Sequence, residues 1–340
     1  MRERELGFTA GTGLRLAGTV CLPDGPAPPG NWPGLVLVLG SYPATRDGNP
    51  DTRQGWFSEK APRRSMFRTL AHHLAERGVA TLRYDKRGCG QSEGSFDDVD
   101  FEALVEDARA AVHALGAERE VAEGRVGLLG QSEGGIIVLE AARRDPAVAA
   151  VLTQGSPGRG LFQTRSDEAD RLVDTVDALD PATRAEFIDA EPGAYLFMKY
   201  APQMREAIAS GETRLEMVEG RHRLVLNLDW IRQHLRHPAD QAAAALQVPV
   251  AFFNGELDRN VHPENAQHLA ETARAAGNPH VTLRAFAGLD HGMRAAPSDL
   301  EAGMARLAST EPSGPIEPVY LDAVADWALE ALAATQDVAR

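Results

Sequence analysis

Short runs dominated by apolar residues alternate along much of the chain with stretches in which apolar residues return every three or four positions. The runs Leu35–Leu39, Ala80–Tyr84, Val126–Leu129, Val148–Leu152, Val248–Phe253 and Val281–Phe286 read as strands, the first of them wholly apolar and so of the kind buried on both faces of a sheet. Between them, Met66, Phe67, Leu70, Ala71 and Leu74 share one helical face, as do Leu104, Val105, Ala108, Ala111 and Val112 of a helix over 101–115. Further helices are predicted over 136–144, 264–276 and 319–334, and an opening antiparallel hairpin from Leu6–Ala10 and Leu14–Leu22 around a Gly-Thr-Gly turn. Strands that alternate with helices in this way predict an α/β fold with a doubly wound, mostly parallel sheet.

The alternation breaks between 157 and 245. Charged residues, Ala and scattered aromatics dominate there, as in Asp167–Leu179, Pro181–Ile188, Ala194–Ala209 and Leu224–Leu235. The pattern predicts a helical cap insertion at 157–245 between two parts of one sheet domain, 1–156 and 246–340. Tyr195, Phe197, Met198, Tyr200 and Trp230 are candidates for lining a substrate pocket under the cap, although such stripes also build a cap's own core.

The apolar run at 126–129 leads into Gly130-Gln-Ser132-Glu-Gly134-Gly135 and then directly into a helix. Strand, tight Gly-flanked turn and helix are the setting in which G-x-S-x-G holds a nucleophilic serine on a strained elbow. The same pentapeptide occurs earlier as Gly90-Gln-Ser92-Glu-Gly94, but there a loop separates it from strand 80–84 and a capping segment, Ser95–Asp100, follows. Context therefore selects Ser132. A helix starting at Glu133 also offers a free N–H and the positive end of its dipole to an oxyanion.

A serine hydroxyl needs a base, and the base needs a carboxylate to fix its tautomer. His291 follows the last predicted strand in a Gly-flanked turn, whereas His280 leads into that strand and His262 lies four residues from the candidate acid. Asp258 ends the turn after strand 248–253, with Glu256 as the reserve, and Asp290 beside His291 reads as a turn-former. The loop after strand 35–39 begins Gly40-Ser41-Tyr42, so the amide of Ser41 or Tyr42 is the expected second oxyanion donor beside that of Glu133.

Composition narrows the partners. With 35 Lys and Arg against 49 Asp and Glu, the net charge of −14 argues against nucleic acid or an anionic membrane surface. The first residues show no apolar leader and no run is long enough to span a bilayer, which leads us to expect a cytoplasmic protein. Cys21 and Cys89 form no disulfide framework, and His72 and His73 read as surface residues rather than ligands. No His-x-x-x-His or cysteine cluster of metal spacing is present, so no metal is expected; a homo-oligomer is left open.

Taken together, Gly40-Ser41…Arg46-Asp47-Gly48, Asp85-Lys-Arg87-Gly88…Ser92, the Ser132 elbow, Gly255-Glu-Leu-Asp258 and Asp290-His291-Gly292 make the chain resemble the α/β-hydrolase-fold serine hydrolases, specifically capped bacterial carboxylesterases of the dienelactone-hydrolase-like group. The resemblance implies a structural loop at Asp85, Arg87 and Ser92, no cofactor, and a small-molecule ester or thioester as substrate. Relatives of this kind often read Gly-Ser-Gly-Pro in the first loop, where this chain has Tyr42. Cleavage of carboxylic esters of small to medium acyl groups through an acyl-enzyme is the expected activity. Thioesterase, lactonase, peptidase, acyltransferase, cofactor-free peroxidase and carbon–carbon hydrolase chemistry would use the same triad, and a non-catalytic scaffold is disfavoured by the triad's completeness.

Overall fold

The computed structural model describes residues 1–11, 13–159, 172–311 and 314–334. Its main sheet has eight strands: β1 (Arg2–Thr9), β2 (Arg15–Leu22), β3 (Trp32–Val38), β4 (Ala80–Tyr84), β5 (Val121–Gln131), β6 (Val148–Gln154), β9 (Val250–Gly255) and β10 (Val281–Phe286). They lie in the order β1-β2-β4-β3-β5-β6-β9-β10. β1 and β2 form the antiparallel hairpin, β2 runs antiparallel to β4, and the remaining pairs are parallel. The sheet is therefore the mostly parallel one that the apolar runs predict.

Helices cover both faces, which is why β4 and β6 are buried along their whole length. On one side α1 (Met66–Glu76) and α11 (Pro318–Ala334) pack Phe67, Leu70, Leu74, Tyr320 and Val324 against Leu35, Leu37 and Leu129 of the sheet. On the other, α2 (Phe101–Gly116) and α3 (Glu133–Arg144) bring Leu104, Val105, Ile136 and Ile137 onto Val36, Leu82 and Leu128. β5 starts at Val121, five residues before its apolar run. Its early residues Glu123 and Gly124 are exposed, so the polar break that hid the strand's start lies outside the core.

The inserted segment is not wholly helical. It holds α4 (Pro181–Ala190), α5 (Pro192–Lys199), α6 (Ala201–Ser210), α7 (Leu228–Arg236) and α8 (Ala239–Ala245), but also a two-stranded hairpin of β7 (Arg214–Glu219) and β8 (His222–Asn227). Its turn uses Gly220 at φ 53°. In β8 the exposed Arg223 and Val225 alternate with the buried Leu224 and Leu226, a period of two that charged outward positions disguise as surface helix. The expected helix Leu224–Leu235 therefore divides into the end of β8 and α7. The expected helix Asp167–Leu179 begins outside the described residues, and 172–177 is helical.

Cap and sheet domain share one apolar core. Phe197, Met204, Met217, Trp230 and Ile231 of the insertion belong to the same buried cluster as α2 and α3. Helix α8 packs on α3 and on α9 (Glu264–Ala275), so the chain has rejoined the flank of the sheet before residue 245. A short helix, α10 (Leu300–Leu307), was not visible in the sequence pattern; its Met304 closes a small cluster with Phe187 and Tyr195 of the cap.

Candidate active site

Ser132 stands between the end of β5 and the first residue of α3, with φ 57° and ψ −124°, a backbone conformation that a residue with a side chain rarely adopts. The strain is held from several sides. The Ser132 N–H donates to the Gln154 carbonyl at the end of β6, at 2.8 Å. A methyl group on Gly130 would overlap the backbone of Gly134 and Gly135, one on Gly134 the Val38 carbonyl, and one on Gly135 the Ser156 side chain. The glycines that mark the elbow in the sequence are thus places where strand, turn and helix touch.

The candidate acid and base come from the ends of β9 and β10. His291 Nδ1 lies 2.7 Å from Asp258 Oδ2. Asp258 is buried, and its other oxygen accepts from the Asn260 and Val261 amides at 2.9 and 2.8 Å, so the turn fixes the carboxylate before it meets the ring. With Nδ1–H given to Asp258, Nε2 carries the lone pair that a general base needs. Glu256, by contrast, is exposed. The Asp290 carboxylate accepts from the Gly292 and Arg294 amides and shapes the turn.

Two residues of this arrangement were not singled out from the sequence. Gly155, at φ 57°, follows β6, and a Cβ there would lie 2.9 Å from His291 Nδ1 and 3.0 Å from Asp258 Oδ2. The other is Gln131, whose side-chain Nε2 lies 3.0 Å from His291 Nε2. In this resting arrangement Nε2 is engaged by Gln131 and not by Ser132, although Ser132, Gln131 and His291 open on one cavity of about 220 Å3. Gln131→Ala is expected to speed fluorophosphonate labelling of Ser132 by up to about tenfold, the worth of one neutral hydrogen bond that competes for the base. Slower labelling would show that the amide supports the base.

The loop after β3 forms the facing wall. A Cβ on Gly40 would lie 3.1 Å from Ser132 Cβ, and Ser41 and Tyr42 line the cavity beside it. The Glu133 side chain turns inward and is fully buried, with Oε1 accepting from Trp230 Nε1 at 2.6 Å and paired with His234 Nε2 at 2.8 Å, both on α7. Its Oε2 lies 3.4 Å from Lys86 Nζ. Burial alone would push this carboxyl up, but the Lys86 ammonium and the His234 and Trp230 hydrogen bonds outweigh it and hold it at about 2.

The second Gly-Gln-Ser-Glu-Gly copy has a different task. Ser92 Oγ accepts from the Ala17 amide at 3.0 Å and donates to the Asp85 carbonyl at 2.7 Å, tying the loop to β2 and to the end of β4. Asp85 takes Arg46 and the Gln91 amide, and Arg87 forms a buried two-point pair with Asp107. No helix begins at Ser92.

The aromatic pocket candidates separate. Phe197 and Trp230 line an apolar cavity with Trp56 and Phe96, on the side of Ser41 and Tyr42 that faces the cap. Tyr195 turns away: it is fully buried in the cap, and its hydroxyl donates to Asp177 at 2.7 Å. Met198 packs on the same cap cluster, and Tyr200 is bonded to Val218 of β7. Tyr195 and Met198 thus pack in the cluster that Met304 of α10 closes, and Tyr200 on β7, rather than on that cavity.

Among the described residues, Glu3 of β1, Cys21 of β2 and His72 of α1 bring potential ligand atoms within 4.8 Å of one another. Glu3 is shared between His72 and the Arg83 guanidinium, each at 2.8 Å. No helix among the described residues is long and apolar enough to cross a membrane.

Residues 63–158, from α1 to just past β6, match the family described as serine aminopeptidase, S33. Esterase EstD of Thermotoga maritima is 27% identical over 196 residues, covering 54% of this chain and 43% of that protein. The AB hydrolase superfamily protein YisY of Bacillus subtilis is 25% identical over 239 residues, or 67% of this chain and 80% of that one. EstD and the uncharacterized protein YcjY of Escherichia coli, which is 27% identical over 146 residues, are each matched over less than half their length. In three dimensions the α/β hydrolase GrgF from Penicillium superposes with a TM-score of 0.60 at 19% identity, over 98% of this chain and 100% of that chain. Est1E from Butyrivibrio proteoclasticus with ferulic acid bound gives 0.59 at 16%, over 96% and 99%.

Proposed function

We propose that this chain is a serine esterase of the α/β-hydrolase type that cleaves carboxylic esters of small to medium acyl groups through an acyl-enzyme. The observation that carries the reading is the shared cavity. A strained serine at a helix start and a histidine held by a buried aspartate open on the same space, beside a loop that can supply a second amide. Ser132 Oγ attacks the ester carbonyl as His291 Nε2 takes its proton, and Asp258 stabilises the imidazolium that forms. The amides of Glu133 and of Ser41 or Tyr42 hold the developing oxyanion. His291 then returns the proton to the leaving alcohol, and water repeats the sequence on the acyl-enzyme. Esterase EstD among the relatives supports ester cleavage as the reaction class.

The aromatic cavity on the far side of Tyr42 is the proposed seat of the acyl or aryl group. The test is hydrolysis of p-nitrophenyl esters over a range of acyl lengths by wild type and Phe197→Ala. Wild type is expected to prefer acyl groups of intermediate length. Phe197→Ala is expected to lose about 10- to 100-fold in kcat/KM on the preferred ester, corresponding to about 1.5–3 kcal/mol of lost apolar burial, and less on the acetate. An equal loss on every ester would remove the cavity from the reading, and no ester turnover by wild type would remove the esterase itself.

A further inference from the structure

Lys86 follows Asp85 in the loop after β4, and its ammonium donates to the Gly40 carbonyl. That carbonyl and the Ser41 N–H belong to one planar trans peptide and point in opposite directions. A cation on the carbonyl side therefore fixes the plane that aims the Ser41 amide, and it draws electron density from that amide, which strengthens it as a donor. The same ammonium lies 3.4 Å from Glu133 Oε2, and Glu133 supplies the other proposed oxyanion amide.

We propose that the buried Lys86–Glu133 pair is a clamp that positions both arms of the oxyanion hole and that Trp230 and His234 seat it against the cap; the inference rests on the esterase reading above. Four observations converge on it. Glu133 is 0% and Lys86 4% exposed, so the pair is held out of water, where an ion pair gains little stability over apolar side chains of similar size. Its two members touch the two segments that carry the proposed oxyanion amides, Gly40-Ser41 and the start of α3. The second carboxylate oxygen is taken by Trp230 and His234, so the clamp closes only with α7 docked. Trp230 also lines the aromatic cavity, so a group bound there presses on a residue bonded to Glu133. Lys86 and Glu133 are positioning residues on this view, since neither side chain touches the reacting atoms.

The experiment measures kcat and KM on p-nitrophenyl butyrate, and the inhibition constant of an alkylboronic acid that forms an anionic tetrahedral adduct on Ser132. The variants are Lys86→Met and the double Lys86→Met/Glu133→Gln, the latter leaving no charge buried alone so that it stays folded if the single variant does not. One oxyanion donor is worth about 10²–10³ in kcat, so a donor loosened but still present is expected to cost both variants about 10- to 100-fold in kcat. KM should stay within about threefold, and boronate affinity should fall by the same factor as kcat, because only the charged tetrahedral state uses the hole. Retention of kcat within about threefold in the folded double variant would overturn the clamp while the esterase stands. So would a loss of kcat with boronate affinity unchanged, which would mark a general structural effect. A wild type that neither cleaves the ester nor binds the boronate would overturn the esterase reading and the clamp with it.

Discussion

Ser132→Ala is expected to lower kcat for ester hydrolysis by about 10⁴- to 10⁶-fold, with little change in KM, because the step it removes is covalent attack and not substrate binding. Ser92→Ala, which alters an identical pentapeptide, is expected to keep kcat within about threefold and to destabilise the fold by about 1–3 kcal/mol. The difference follows from what each hydroxyl does. Ser92 Oγ is spent on the Ala17 amide and the Asp85 carbonyl, and its loss leaves both without their partner. Ser132 carries positive φ at the mouth of a helix and faces the cavity that His291 shares. Steady-state kinetics and denaturant unfolding of both variants read the two effects separately. A catalytic loss confined to Ser92→Ala would reverse the assignment.

Asp258→Asn is expected to cost about 10⁴-fold in kcat, although the substituted side chain has nearly the same shape. The carboxylate accepts the Nδ1 proton of His291 at 2.7 Å, while its other oxygen is committed to the Asn260 and Val261 amides. In the amide variant the oxygen stays with those two amides, which leaves the NH2 group facing Nδ1. The ring then moves its proton to Nε2, the atom that must take the proton of Ser132, and the imidazolium formed during attack has no counter-charge. Glu256→Gln, two residues earlier on the exposed side of the same turn, is expected to keep kcat within about threefold. If Glu256→Gln were the damaging change, the acid would have been assigned to the wrong side of the turn.

The elements that position the site were legible wherever local sequence controls local geometry. Glycines at 130, 134 and 135 announce close backbone approaches, and the strand ends at Gln131, Gly255 and Phe286 place the three catalytic candidates on the carboxyl edge of the sheet. What stayed hidden depends on residues far apart in the chain. Gln131 meets His291 across 160 positions, and Lys86 meets Glu133 across 47, so neither contact leaves a short-range pattern. Gly155 carries no local signal either, because the ring and carboxylate that crowd it arrive from residues 291 and 258. The cap was the least legible part. Its β7–β8 hairpin hides its alternation under charge, and its aromatic residues divide between cavity and cap core according to helix docking, which periodicity does not encode.

Peptide mapping by mass spectrometry after treatment with a fluorophosphonate tests the central assignment most directly, since the reagent bonds to the serine that the base activates whatever the natural ester proves to be. The expected result is a single adduct, on the peptide that contains Ser132, absent from Ser132→Ala and sharply slowed in Asp258→Asn. An adduct on the peptide that contains Ser92, or no adduct on the folded wild-type protein, would contradict it.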